Sequence, residues 1–110
     1  MIQENPLPDA YEVEILDHGK LNPDDDNVDV FVYFADGKKK YVATFFTVSN
    51  IQSVMRKDRG TGECAGGLYF WASNMIVVER LDRETVERTV ADLMRTGEFE
   101  KAFDGPHPID

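Results

Sequence analysis

The stretch from Leu68 to Glu79, LYFWASNMIVVE, constrains the fold more than any other part of the chain. It is the most apolar run in the sequence, rich in aromatic and β-branched residues, and Gly66-Gly67 precede it. Ser73-Asn74 interrupts it with a pair suited to a tight turn, so the spacing predicts a β-hairpin. With a two-residue turn, Trp71 pairs with Ile76 and Tyr69 with Val78 on one face, while Phe70 meets Val77 and Ala72 meets Met75 on the other. Both faces are apolar, which predicts the buried centre of a sheet.

The strands before it follow from alternation. From Ala10 to Leu16, Tyr11, Val13 and Ile15 alternate with Glu12 and Glu14, the pattern of a half-buried strand. Val28 to Ala35 and Lys39 to Phe46 flank Asp36-Gly37, a dipeptide that suits the positive φ angles of a type I′ hairpin turn. That turn sets a register: Val32 opposite Tyr41, Val30 opposite Ala43, Val28 opposite Phe45, Tyr33 opposite Lys40 and Phe31 opposite Val42.

Two helices complete the reading. Ser49 with Gln52 three residues on is a capping-box pattern, Ile51, Val54 and Met55 form a stripe, and Gly60 is a stop. Asp82 caps a second helix whose buried side is Val86, Val90, Leu93 and Met94, with Gly97 at its end. Phe99 and Phe103, four apart, pin a further short turn to the core. Residues 1–9 read as an extended arm and 104–110 as a loose tail. The whole is expected to be one α+β domain over residues 1–110, in the order β-β-β-α-β-β-α. Its sheet is mainly antiparallel, with about five strands and two helices packed on one face. There is no βαβ alternation in this reading.

Length and charge narrow the function. The chain has 110 residues, enough for one core. Its 21 acids against 12 bases leave a net charge of −9, which argues against binding nucleic acid through phosphates. No apolar run reaches the length of a membrane span, and the N-terminus lacks a secretory pattern. With a single cysteine and so no internal disulfide, the chain reads as cytoplasmic. The acid is uneven: residues 1–30 hold nine acids and one base, Lys20.

Each candidate chemistry has a plainer alternative. The loop DHGKLNPDDDN offers Asp24 and Asp26 at calcium-loop spacing from Asn22, but position 12 is Tyr33, where a bidentate Glu is needed. A solvated acidic turn fits better. His18, His107 and Cys64 are scattered, unlike the close ligand spacing of a zinc site, so neither metal nor cofactor is expected. Arg59 to Gly67, RGTGECAGG, reads as a glycine-rich loop. Arg59, Gly60, Gly62 and Cys64 there are the residues a small enzyme or ligand binder would use, Cys64 needing a base nearby.

Two surfaces remain. Glu12, Glu14, Asp24, Asp25, Asp26 and Asp29 form an acidic surface suited to a basic protein partner. Phe31, Tyr33, Val42 and Phe46 form a sheet face left partly exposed if the helices cover one side only, an interface through which a structural or regulatory module would self-associate. In size and acidity the chain resembles small cytoplasmic immunity proteins that neutralise bacterial toxins. The resemblance implies an immunity or inhibitor role without catalysis.

Overall fold

The computed structural model describes residues 10–34 and 39–109, so the extended arm over 1–9 and the Asp36-Gly37 turn lie outside the described residues. The order is β1 (Tyr11–Ile15), β2 (Asn27–Phe34), β3 (Lys39–Thr47), α1 (Val48–Thr61), α2 (Glu63–Gly67), β4 (Met75–Val78), α3 (Arg83–Thr96), α4 (Phe99–Ala102) and β5 (Asp104–Pro108). The class is α+β, with a five-stranded, mainly antiparallel open sheet.

β3 is the hub. One edge pairs with β2 in the register set by the Asp-Gly spacing, Val32 opposite Tyr41 and Phe31 opposite Val42. Its other edge is shared. β5 runs antiparallel beside Lys39 to Val42, and β4 runs parallel beside Thr44 to Thr47. β1 pairs antiparallel with the far edge of β2.

Alternation decides what is buried. Val28, Val30, Val32 and Phe34 of β2 and Tyr41, Ala43 and Phe45 of β3 all point to one side. There they meet Leu81, Val86, Val90 and Met94, together with Phe99 and Phe103. Phe99 and Phe103 stack with centroids 4.6 Å apart, and Tyr41 and Phe34 meet Phe99 edge-on at 5.0 and 5.8 Å. Each buried phenylalanine contributes about 1.5–3 kcal/mol from area alone, so these rings lock α4 to the sheet despite its four residues. Asp82 caps α3 by accepting from the Thr85 N–H at 2.8 Å, and Gly97 ends it in the left-handed region.

Several expectations are corrected. Leu68 to Glu79 is not a hairpin: only Met75–Val78 is a strand, and Leu68, Tyr69 and Trp71 are exposed. Ser73 and Asn74 do form a turn, with Asn74 at φ 50°, but its side chain donates to the Ala102 carbonyl, so the turn docks on α4 instead of folding one strand against another. The helix after β3 makes a crossover, which is why β4 joins parallel; a βαβ arrangement is present after all. The first helix is capped by Thr47, whose Oγ1 accepts from the Asn50 N–H at 3.0 Å, and not by Ser49. Gly60 lies inside that helix, and the left-handed stop is Gly62. The tail is not loose, because Asp104–Pro108 supplies the fifth strand. α1 places none of its residues in the core; the helices that pack on the sheet are α3 and α4.

Candidate protein-binding face

With α3 and α4 on one side, the odd-numbered residues of β2 and their neighbours form the opposite face. Glu12 and Glu14 stand on β1, Asp29, Phe31 and Tyr33 on β2, and Lys40, Val42, Thr44 and Phe46 on β3. The register places Met75 beside Thr44 and Val77 beside Phe46, so β4 extends the same face. Two groups that are separate in sequence, the acids and the aromatics, thus meet on one surface. Phe31, Tyr33 and Val42 are half-buried.

The face is internally ordered. The Phe31 and Tyr33 rings stack with centroids 6.2 Å apart and 22° between planes, and Lys40 Nζ sits 5.2 Å from the Phe31 centroid. The Tyr33 hydroxyl donates to Glu14 Oε1 at 2.8 Å, and the Thr44 hydroxyl donates to Asp29 Oδ1 at 2.8 Å. The bond to Glu14 pushes the Tyr33 phenol above its ordinary range, with burial and the Glu14 charge acting in the same direction. Phe46 departs from expectation. It is buried, because Phe70 covers it edge-on at 5.2 Å. The available centre of the face is therefore Phe31, Tyr33 and Val42, rimmed by Glu12, Glu14 and Asp29.

The aspartate loop faces elsewhere. Asp25 accepts from Asn50 Nδ2 at 3.0 Å and from the Ser53 hydroxyl at 3.3 Å. Asp26 accepts from the backbone N–H of Asn22 and of Asn27, at 2.9 and 2.8 Å. Asp24 pairs with Arg80 at 3.1 Å. These three carboxylates organise the turn and join it to α1 and to the segment after β4. Short Asp and Asn side chains bond to nearby backbone, so NPDDDN already carries the signal for a self-bonded turn. Among the described residues, no group of three His, Cys, Asp or Glu side chains is placed to hold a metal ion.

The expected glycine-rich loop begins as the last turn of a helix. Arg59 and Gly60 belong to α1, and Gly62 caps it. Cys64, Ala65 and Gly66 then form a left-handed turn. Burial pushes the Cys64 thiol up, and Asp58, itself buried, adds its charge and a hydrogen bond in the same direction. That is the opposite of what a nucleophile needs. His107 sits 2.8 Å from Asp104, and the charged groups that act on Cys64 are Asp58 and Glu63. Two hollows, one along α3 at Thr85, Arg88 and Asp92 and one between β1 and α3 at Tyr11, Val13 and Glu87, take no residue from this region. No described helix is long and apolar enough to cross a membrane.

Compared with known proteins, the chain matches no family model, no curated protein and no solved structure.

Proposed function

We propose that the chain is a non-enzymatic binding protein whose open sheet face engages a protein partner with an apolar centre and a basic rim. One feature supports this above the rest. α3 and α4 cover a single side of the sheet, and the other side carries Phe31, Tyr33 and Val42 half-exposed inside a border of Glu12, Glu14 and Asp29. An apolar middle with a polar border is the anatomy of a protein interface. The acidic border steers a basic partner and sets its orientation, acting mostly on association rate and choice of partner. An immunity or inhibitor role, in which the chain occludes a basic surface of its target, is one form of such binding.

The test is affinity capture at low and high salt, comparing the natural chain with a Glu12→Gln/Glu14→Gln/Asp29→Asn variant and with Tyr33→Ala. The expected result is one basic partner held by the natural chain at low salt, weakened by salt and by the triple variant, and lost with Tyr33→Ala. A partner retained equally by all three proteins, indifferent to salt, rejects this face.

A further inference from the structure

Among the described residues, three strands of the sheet have an unshared edge, and two of them are guarded. β1 carries Glu12 and Glu14, and its outward Val13 carbonyl accepts from Arg83 Nη1 at 3.4 Å. β5 carries Asp104, and Pro106 and Pro108 have no N–H to offer. Charges, prolines and covering side chains are the usual defences against strand addition. β4, which reads MIVV, has none of them.

The hydrogen bonding of β4 fixes what its edge presents. The Thr44 N–H donates to the Asn74 carbonyl at 3.1 Å, and Thr44 stands beside Met75 in a parallel ladder. In such a ladder alternate residues bond the neighbour, so Asn74, Ile76 and Val78 turn their backbone groups to β3. Met75 and Val77 turn theirs outward, where nothing among the described residues pairs with them. The segment that leads into this strand carries large exposed apolar side chains, Leu68 at 78%, Trp71 at 65% and Tyr69 at 50%, and Val77 in the strand itself is 46% exposed.

We infer that the β4 edge pairs with β4 of a second copy of this chain, antiparallel about a two-fold axis at Ile76. This goes beyond the proposed binding face, which it leaves open on both copies. The geometry is self-complementary. Outward-facing Met75 stands opposite outward-facing Val77 of the other copy, and each pair exchanges both of its N–H···O=C bonds. The backbone sets the register. Leu68, Tyr69 and Trp71 supply the apolar surface that the short strand lacks, each set lying against the segment that follows β4 in the other copy. Charge does not oppose this occupant at the junction. The edge itself is uncharged, and Arg80 beyond it is held by Asp24 and Asp82 of its own chain. The acidic β1 strands end up at the two far ends of the joined sheet, roughly 30 Å apart at about 4.8 Å per strand. At physiological salt, where the screening length is about 8 Å, their repulsion is spent. The unpaired edge next to exposed aromatics thus becomes a two-fold junction.

Sedimentation across a wide concentration range tests this, with amide exchange read residue by residue on the same protein. A dimer is expected, with the Met75 and Val77 amides protected as the dimer fills, while Ile76 and Val78 are protected at every concentration. Val77→Pro removes an outward donor and leaves the bonds to β3 intact, so it weakens the dimer by about tenfold or more while circular dichroism stays unchanged. Tyr33→Ala leaves the dimer intact, which separates this junction from the open face. A monomer at all concentrations overturns the inference, whether or not its edge takes a strand from another protein. So does a dimer in which the Met75 and Val77 amides exchange freely. If Val77→Pro fails to fold, the exchange pattern of the natural chain decides alone.

Discussion

The Tyr33 hydroxyl reaches Glu14 diagonally across the β1–β2 pair. Glu14 stands opposite Phe31 in the register, yet its Oε1 accepts from Tyr33 at 2.8 Å. This bond joins the acidic rim to the aromatic centre, and it is the first cause of the raised Tyr33 pKa. A phenol whose folded pKa lies above its unfolded value stabilises the fold fully below the ordinary tyrosine pKa of about 10, and the contribution is lost as pH rises through the folded value. In a spectrophotometric titration, the Tyr33 signal, isolated by difference from Tyr33→Phe, is expected to ionise above the ordinary range. Glu14→Ala should bring it down. Coincident curves for the natural chain and Glu14→Ala count against the bond.

Asp82 gives the opposite sign. The Thr85 N–H that it accepts lowers its pKa, with Arg80 adding to the effect. A depressed carboxyl contributes stability that is present above its unfolded pKa of about 4 and lost as pH falls through the folded value. Thermal melts should show Asp82→Ala lowering Tm at neutral pH. Asp82→Asn, which still caps, should keep Tm near neutrality and flatten the acid limb. An acid limb unchanged in Asp82→Asn assigns that limb to other carboxylates.

The two faces of the sheet should respond unequally to truncation. Phe99→Ala opens the stack with Phe103 inside the core and is expected to cost about 3–5 kcal/mol in urea denaturation. Phe31→Ala removes a half-buried ring from the open face and is expected to cost about 1 kcal/mol. Similar losses from both substitutions are incompatible with a sheet covered on one side.

Two glycines near the end of α1 make a matched pair. At Gly67, with φ +84°, an added Cβ falls 2.5 Å from the Met55 carbonyl oxygen and 3.1 Å from Arg59 Cγ. Gly67→Ala therefore strains a left-handed position and meets backbone, a loss of more than about 1 kcal/mol. At Gly60, inside the helix, the Cβ meets nothing within 4 Å. Gly60→Ala should stabilise by about 0.4–1 kcal/mol. Equal shifts in denaturation midpoint reject the left-handed turn.

Much of the fold is legible in the letters because its signals are local. The Asp-Gly spacing sets the β2–β3 register, and alternation sorts Val28, Val30 and Val32 from Asp29, Phe31 and Tyr33. The Asp82 and Gly97 caps bound α3. What misleads is Leu68 to Glu79, where an apolar run reads as buried. Hydrophobicity measures willingness to leave water, and Leu68, Tyr69 and Trp71 stay exposed on the segment by which the crossover reaches β4. β4 itself is parallel, and parallel pairing depends on a partner far off in sequence that no local pattern names. β5 hides behind prolines that argue against a strand, yet an edge strand tolerates them. On the candidate face, the members of each group are readable, but their meeting is not. Glu14 and Tyr33 touch only because β1 returns beside β2.

The alternation within β2 has a consequence for how this chain can change. Two messages are interleaved letter by letter along eight residues, one addressed to the interior and the other to the outside world. Single substitutions can rewrite either message alone. An insertion of one residue cannot, because it shifts every later letter to the other reader, turning valines toward water and Asp29 toward the rings of α4. Such a strand can drift freely in spelling while remaining nearly frozen in length.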